Sequence, residues 1–303
     1  DGYSDKQLDL LKTVLSTFSK SSIDSNQLML VKQQLIRDKQ NAKREYPFRQ
    51  IIAHLKADIV GSYVPAKQIA VLKPISVAYV ELFVKQLLSE NKVDVLVAGN
   101  HSAQSARQVA SLLKGFNLKD LASMRSVVRL PEEDSVREVF VEHNDAVLLR
   151  YIQGDSDSLE ERALISLLAN IISSDFYNEL RTEKQLGYVV AAFSMHINRV
   201  PGLSFIVQSP VASENELKSE FERFSLDFAK SIQDLTEEGL LVHKTALLVN
   251  LKDNAENLNE LTARSIKAMS LGYYNFDFRE RLAQAISTAK VEDIRAAYSR
   301  LML

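Results

Sequence analysis

The sequence predicts an α+β protein made of two homologous domains, each an antiparallel sheet covered on one face by helices. Helical periodicity dominates the first 115 residues, whereas β-rich segments alternate with turn residues between positions 136 and 209. The helical tract 22–42 also matches the tract 234–255 along its length. Two copies of one structural unit indicate two related domains.

The first predicted domain, residues 1–115, is mostly helical. Asp24 and Ser102 are suited to cap helix N-termini, since their side-chain oxygens can accept hydrogen bonds from main-chain N–H groups. Residues 93–97 alternate in polarity and are followed by Gly-Asn, which predicts the one strand of this domain. The predicted helices cover residues 5–20 and 24–42, a segment through Ile51, Leu55 and Ile59, a segment after Pro74, and residues 102–115.

Residues 116–135 lack a sustained pattern and end in a proline and an acidic cluster, which is typical of an interdomain linker. The second predicted domain, residues 136–303, opens with two β-rich segments separated by Asn144-Asp145, a sequence typical of a hairpin turn. Its predicted elements are strands at 136–143, 146–152, 188–197 and 203–209, a long helix at 157–185 capped by Asp157 or Ser158, and helices from 212 onward.

Both predicted domains are incomplete when the two copies are compared. The first lacks the opening strands of the unit, and the second ends where its closing strand is expected. Together with the missing initiator methionine, this predicts a piece of a longer protein. Because unpaired sheet edges tend to associate, the fragment is also expected to self-associate.

Composition excludes several classes of function. The chain has 303 residues, of which 46% are hydrophobic and 25% charged, as in ordinary globular proteins able to bury a core. A net charge of −2 argues against nucleic acid as a partner, and no apolar run is long enough to cross a membrane. There are no cysteines and no signal peptide, so cytoplasm and periplasm remain open as compartments.

No metal site is predicted in this chain. A catalytic zinc ion needs three protein ligands, usually including two closely spaced histidines. The five histidines, at positions 54, 101, 143, 196 and 243, have no histidine partner three to five residues away. No nucleophile elbow, phosphate loop or glycine-rich cofactor site is present either, so the catalytic machinery of an enzyme would be incomplete here.

The most informative segment is Asn178–Val190, which reads as the end of a helix, a stop at Gly187 and a strand that opens at Tyr188. The turn brings a guanidinium, Arg181, near a phenol, and two such donors beside a scissile carbonyl could hold the oxygen that becomes negative during peptide hydrolysis. An ordinary structural interpretation competes with this. An arginine in the last turn of a helix interacts favourably with the helix dipole, and a tyrosine often begins a half-buried strand.

A resemblance to the pitrilysin/insulinase family of zinc metallopeptidases covers essentially the whole chain. It is carried by "LRTEKQLGYVV", preceded by "SSDFYNE" and followed by "GLSFIVQS". The segments "GYSDKQLDLLK", "AGN" at 98–100, "DLTEEGLLVHK" at 234–244 and "YYNFDFRE" at 273–280 follow in the family's order.

The resemblance implies that the chain is the C-terminal half of a four-domain enzyme, containing its third and fourth domains with the family's αβ-roll fold. In that family two halves close around a peptide-holding chamber, and the N-terminal half binds zinc through an HxxEH motif that this chain lacks. Arg181 and Tyr188 match the family's pair that contacts the substrate and the transition-state oxygen. Tyr177 matches an aromatic side chain beside a specificity pocket, and Tyr177 and Gln185 are expected to bind substrate. Gln185 together with Gly187 is also expected to shape the corner.

The expected function is therefore that of the substrate-completing half of a zinc metalloendopeptidase, with a peptide and the N-terminal half as partners and with zinc bound outside this chain. Two alternatives belong to other classes. One is a non-catalytic family member that acts as a scaffold or peptide-binding subunit, and the other is a plain interaction module. Retention of both Arg181 and Tyr188 favours the active enzyme.

Overall fold

The computed structural model describes residues 6–20, 22–89, 92–114, 126–131 and 133–303. Its described part is rich in helix and contains one small antiparallel sheet. The helices are α1 Gln7–Lys20, α2 Ser25–Asn41, α3 Pro47–Val60, α4 Pro65–Leu72, α5 Val77–Ser89, α6 Ala103–Leu113, α7 Leu159–Tyr177, α8 Glu214–Gln233, α9 Glu237–Lys252, α10 Leu258–Ser270, α11 Phe278–Thr288 and α12 Val291–Met302. The strands are β1 Ala146–Gln153, β2 Val189–Ile197 and β3 Val200–Ser209, and two further turns are a 3₁₀ turn Ala42–Arg44 and a π-helical turn Asn178–Glu183. None of the described helices is long and apolar enough to span a membrane.

The chain divides into two compact units whose segments interleave along the sequence. Unit 1 comprises residues 1–40, 65–124 and 255–274, and unit 2 comprises residues 41–64, 125–254 and 275–303. Helix α3, which chain order placed in the first predicted domain, thus packs in unit 2, and α10 packs in unit 1. Packing units and sequence repeats are different properties, so the homologous domains 1–115 and 136–303, their linker and their truncation remain predictions.

Unit 1 contains helices whose caps were predicted correctly. Asp24 Oδ1 accepts the main-chain N–H of Gln27 at 2.8 Å, and Ser102 caps α6 through the N–H of Ser105. The ammonium of Lys32 donates to two main-chain carbonyls beyond α4, which fixes α2 against the segment that leads into α5.

The strand predicted at Val93–Val97 is wrong, because residues 92–98 have no regular structure. A β-strand is stabilised by ladder hydrogen bonds to a neighbouring strand, and unit 1 offers no second strand among its described residues. Asp94 in this segment instead accepts a hydrogen bond from the Tyr274 hydroxyl at 3.0 Å. Alternating polarity alone therefore did not produce a strand.

The sheet of unit 2 has the order β1-β3-β2, and both pairs are antiparallel. The β2–β3 hairpin turns at Asn198, whose φ of 53° suits a tight hairpin turn, as the sequence predicted. Helix α7 packs against β2 and β3, and its Phe176 ring lies edge-on to those of Phe205 and Phe224, with centroids 5.2 and 5.1 Å away. Ser158 is the N-cap of α7, one of the two caps that the sequence allowed.

The strand predicted at 136–143 is also wrong, since residues 133–141 are irregular and lead through bends into β1. Val136 is 80% exposed and Phe140 is 91% exposed. Val139 and Val141 are half-buried, but no strand pairs with this segment among the described residues. The ladder partner of β1 is β3, and the predicted hairpin at Asn144-Asp145 does not form.

Helix α3 lies beside the sheet of unit 2. Ile59 is fully buried in a small cluster with Met195 and Ile197 of β2, and its carbonyl accepts the N–H of Val128 at 2.8 Å. The beginning of the same helix reaches β3, where the N–H of Phe48 donates to the side chain of Gln208. Helix α3 therefore contacts the sheet at Gln208, which belongs to the candidate site.

Candidate functional site

The corner between α7 and β2 is built by a π-helical turn rather than by a simple helix stop. The N–H of Lys184 donates to Glu179 O at 2.9 Å, and the N–H of Leu186 donates to Leu180 O at 2.9 Å. The chain then reverses at Gln185, whose φ of 51° lies in the left-handed region. A residue with a Cβ atom is strained in the left-handed region of φ. Short π-helical turns occur frequently at functional sites.

Gly187 does not end the helix, which corrects the sequence prediction. It is buried, and a Cβ built on it would lie only 2.0 Å from the main-chain oxygen of Gln208 on β3. A glycine is required here because the corner passes directly over the neighbouring strand. The residue with a left-handed φ at this corner is Gln185, and its expected part in binding substrate stays a prediction.

Arg181 lies in the π-helical turn with its side chain exposed. Its Nη1 donates to the carbonyl oxygen of Gly187 at 2.6 Å, so the guanidinium is fixed one residue before Tyr188. A guanidinium has five N–H donors, and this bond leaves further donors available for an anionic or carbonyl oxygen.

Tyr188 is 45% exposed at the start of β2, and its hydroxyl belongs to a hydrogen-bonded cluster. The hydroxyl donates to Asp145 Oδ2 at 2.6 Å and accepts a short hydrogen bond from Gln208 Nε2. Gln208 Nε2 also donates to Asp145 Oδ2 at 2.8 Å. Asp145 comes from the segment before β1 and Gln208 from β3, so residues far apart in the sequence hold the phenol.

The electrostatics of the cluster favour a charged carboxylate and a neutral phenol. Burial raises the pKa of Asp145, but hydrogen bonds from Gln208 and Tyr188 and the nearby His143 outweigh it, so the net pKa lies below its ordinary value. The hydrogen bond to Asp145 is the main reason that the pKa of Tyr188 is raised to about 12. Tyr188 therefore keeps its proton at neutral pH.

Lys184 fastens the corner to helix α8. Its ammonium forms a short ion pair with Glu179 in the π-helical turn and a second ion pair, at 2.8 Å, with Glu220 of α8. All three side chains are only about one quarter exposed, so water weakens these ion pairs less than it would at an open surface.

Tyr177, the last residue of α7, lies beside a shallow open pocket of about 370 Å³. Ser173, Ser174 and Asn178 line it from the helix side, and residues 190–192 of β2 line it from the sheet side. Tyr177 is 45% exposed, which makes it accessible to a bound side chain.

The described residues contain no group of three His, Cys, Asp or Glu side chains that could hold a metal ion. His101 pairs with Gln7 at 2.7 Å, and His243 pairs with Asn170 at 2.8 Å. His143 Nδ1 accepts the N–H of Asp145 at 3.0 Å and thereby belongs to the bend before β1. A zinc ion does not fit this part of the chain.

Sequence reasoning did not identify Asp145, Gln208 or Lys184. Gln208 carried a usable signal, because a polar residue inside the apolar stretch "GLSFIVQS" must find hydrogen-bond partners if the strand is buried. Asp145 carried a misleading signal, since Asn-Asp is a common hairpin sequence and predicted a turn at this position. Only the fold brings the two residues to Tyr188.

Comparison with known proteins finds relatives for both ends of the chain. Residues 1–70 match the family described as the middle or third domain of peptidase_M16, and residues 167–266 match the family described as PQQ synthase PqqF-like, C-terminal lobe domain 4. Insulin-degrading enzyme of Homo sapiens is 28% identical over 318 residues, which cover 99% of this chain and 31% of that protein. The chain thus spans about a third of the length of the curated relatives that it matches.

Two solved structures share the fold. Pitrilysin superposes with a TM-score of 0.79 at 21% identity, over 99% of this chain and 32% of pitrilysin. The peptidase M16 inactive domain from Pseudomonas fluorescens superposes with a TM-score of 0.66 at 16% identity, over 99% of this chain and 73% of that chain. The α+β fold predicted from the sequence is therefore confirmed as that of peptidase M16 domains.

Proposed function

We propose that this chain, which belongs to the C-terminal half of the insulinase-family peptidases, completes the substrate site of a zinc metalloendopeptidase. In this proposal Arg181 and Tyr188 contact the bound peptide, Tyr177 borders the pocket for one of its side chains, and Gln185 sets the direction of the corner. The zinc-binding half of the polypeptide closes over this surface to form a chamber.

The observation that carries the proposal is the corner itself. Arg181 is exposed yet held at Gly187 O, so a permanent positive charge lies beside the main-chain carbonyl that precedes Tyr188. A fixed charge stabilises a developing oxyanion better than a mobile one, because it needs no reorganisation during the reaction. Arginine suits this role since its guanidinium remains protonated at all relevant pH values.

The metal lies outside this chain in the proposal, because the described residues offer no ligand set for zinc. This chain's own residues bind and orient the peptide, and Arg181 provides positive charge for the reacting carbonyl oxygen. In the proposal the open pocket beside Tyr177 receives a side chain of the same peptide.

A second candidate function is supported by the likeness to an inactive peptidase M16 domain, which shares the fold over 99% of this chain. In that case the corner would bind a peptide without hydrolysing it. The N-terminal sequence of the polypeptide separates the two candidates: an HxxEH motif supports the peptidase, and its absence supports a peptide-binding subunit.

The proposal is tested by substitution in the full-length protein with an internally quenched fluorogenic peptide as substrate. Arg181→Ala removes a charged donor to the developing oxyanion and should lower kcat about a hundredfold, equivalent to about 3 kcal/mol of transition-state stabilisation. Tyr188→Phe removes one neutral hydroxyl and should have a smaller effect on kcat/KM.

Arg199→Ala is the matched control, because Arg199 is an exposed arginine in the turn at the opposite end of the β2–β3 hairpin. Its kinetics should equal those of the wild type, and zinc content should be the same in all variants. If kcat/KM of both Arg181→Ala and Tyr188→Phe stays within about twofold of the wild type, the pair is structural and the proposal is wrong.

A further inference from the structure

Helix α9 carries apolar side chains on its outer face as well as on its inner face. It packs on α11 and α7, and its inner face adds four leucines to the core of unit 2, namely Leu240, Leu247, Leu248 and Leu251. On the outer face, Val242 is 67% exposed and Val249 is 65% exposed. A surface helix normally turns a polar face outward, whereas a helix that is apolar on all sides is normally covered. The outer face of α9 is therefore a candidate contact surface.

Helix α12 of the same unit shows the usual pattern for comparison. Its Ile294 and Tyr298 are buried, and its exposed positions include Glu292, Asp293 and Arg300. The apolar outer face of α9 is thus not a general property of the helices of unit 2.

The exposed positions of α9 follow the spacing of a contact between two helices. Glu238, Val242, Thr245, Val249 and Lys252 are all exposed, and they follow one another at intervals of four, three, four and three residues. This alternation keeps side chains in one row along a helix, and it is the spacing at which paired helices meet. We call these five residues the outer stripe.

The middle of the outer stripe can be covered without leaving a polar side chain unsatisfied. Val242 and Val249 have no polar side-chain atoms. The hydroxyl of Thr245, which lies between them, donates to Leu241 O at 2.7 Å within the helix. Burial of a hydroxyl costs free energy chiefly when its hydrogen bond is lost, and this bond is internal to α9.

The two ends of the outer stripe carry opposite charges. Glu238 lies in the first turn of α9, and Lys252 is its last residue. Each is seven residues from Thr245, whereas Val242 and Val249 lie three and four residues from it. If two copies meet antiparallel with Thr245 at the centre, Glu238 of each copy faces Lys252 of the other and the valines face valines. A two-fold symmetric contact requires a surface that is complementary to itself in this way.

We propose that the outer stripe of α9 is a dimer contact, in which two copies of this chain pair antiparallel about a two-fold axis near Thr245. One pair of 16-residue helices is a small contact. It buries less than the roughly 1,600 Å² of a standard protein–protein interface, so the dissociation constant is expected in the micromolar range. The proposal does not depend on the proposed function, because the corner residues are not on α9.

Sedimentation equilibrium of the full-length protein, from about 0.5 to about 100 μM, measures the dissociation constant. Val242→Lys and Val249→Lys each place a charge in the apolar middle of the contact and should raise this constant at least about tenfold. Leu226→Lys is the matched control, because Leu226 is an equally exposed apolar residue, at 67%, on α8. It should leave the dissociation constant unchanged.

A charge exchange tests the antiparallel direction. Glu238→Lys and Lys252→Glu each bring like charges together at both ends of the contact, so each should raise the dissociation constant about tenfold at low ionic strength. The double variant Glu238→Lys/Lys252→Glu restores opposite charges and should return the constant to within about threefold of the wild type. In a parallel pair the single substitutions would leave like charges facing like charges, as in the wild type, and the double variant would restore nothing.

Several results would overturn the proposal. One is a wild-type protein that stays monomeric over the whole concentration range, and another is a dimer that Val242→Lys and Val249→Lys do not weaken. Additive weakening in the charge-exchange double variant would exclude the antiparallel pair. Thermal unfolding and peptidase kcat/KM, measured at about 10 nM where a micromolar dimer is dissociated, should be unchanged in Val242→Lys. A lower melting temperature or a lower kcat/KM there would mean that the N-terminal half or the peptide, rather than a second copy, covers the outer stripe.

Discussion

Gly187→Ala tests whether the close approach of the corner to β3 is essential. An added Cβ would lie 2.0 Å from the Gln208 oxygen, whereas ordinary van der Waals contact begins near 3.4 Å. The obstacle is main chain in a paired strand, so it cannot turn aside as a flexible side chain would. A shift of more than 1 Å must separate the corner from the Gln208–Val189 end of the β2–β3 ladder, and overpacking of this kind costs about 3 kcal/mol.

Gly239→Ala is the matched control for this substitution. Gly239 lies in the first turn of α9, where the nearest atom to an added Cβ is 3.4 Å away, and alanine should stabilise that helix by about 0.5–1 kcal/mol. Hydrogen exchange followed by mass spectrometry should show amides of β2 and β3 exchanging about a hundredfold faster in Gly187→Ala and unchanged in Gly239→Ala. Peptidase kcat/KM should fall in Gly187→Ala alone, because Tyr188 moves with its neighbour. Unchanged exchange in β2 and β3 would refute the argument that the corner is packed rigidly on β3.

Two further predictions concern the supports of this region. Lys184→Met removes the ion pair that closes the π-helical turn at Glu179 and the ion pair that joins the turn to Glu220 of α8, so kcat should fall several-fold with a small change in thermal stability. Lys218→Met, at an exposed 3.9 Å ion pair on α8, should leave both kcat and thermal stability unchanged. Equal kinetics in the two variants would contradict the role of Lys184. Burial lowers the pKa of His243 below its ordinary 6.5, with the charge of Asp175 opposing the shift, so the unfolded state binds the proton more readily than the folded state does. The stability contributed by neutral His243 is therefore complete above about pH 6.5 and is lost as the pH falls below that value. Thermal unfolding at about pH 7.5 and about pH 5.5 should show a smaller loss on acidification in His243→Gln than in the wild type.

The sequence predicted elements well where local signals and packing agreed. Helices α2 and α6 begin at the caps that were predicted, and β2 and β3 follow an apolar pattern that α7 covers. The same signals failed at 93–97 and at 136–143, where the alternation is present but no neighbouring strand completes a ladder. Strand formation depends on a partner far away in the sequence, and local alternation does not report it.

The candidate site shows the same limit at the level of single residues. Arg181 and Tyr188 could be proposed from the sequence because the continuous segment that contains both resembles that of the insulinase family, whereas their spacing alone favoured an ordinary structural interpretation. Asp145 and Gln208 lie 43 and 20 residues from Tyr188, and the amide direction is set by Phe48, 160 residues from Gln208. Periodicity and spacing describe neighbours along the chain, so a network assembled from three distant elements requires the fold.

The π-helical turn determines where the guanidinium of Arg181 lies. Phe176 and Leu180 are both fully buried, so the core-facing side of α7 continues into the turn before the chain leaves it. Successive residues of an α-helix are rotated by about 100°, and a π-helical turn accommodates one residue more than an α-helical turn does. Relaxation to α geometry would therefore rotate the corner after Leu180 by about that angle and carry Arg181 away from Gly187 O. Lys184 opposes this change, because its N–H and its ammonium both bond to Glu179, at the main-chain oxygen and at the carboxylate. The position of the positive charge at the Gly187 carbonyl is thus set by the helical hydrogen-bonding pattern and secured by the ion pair that closes the turn.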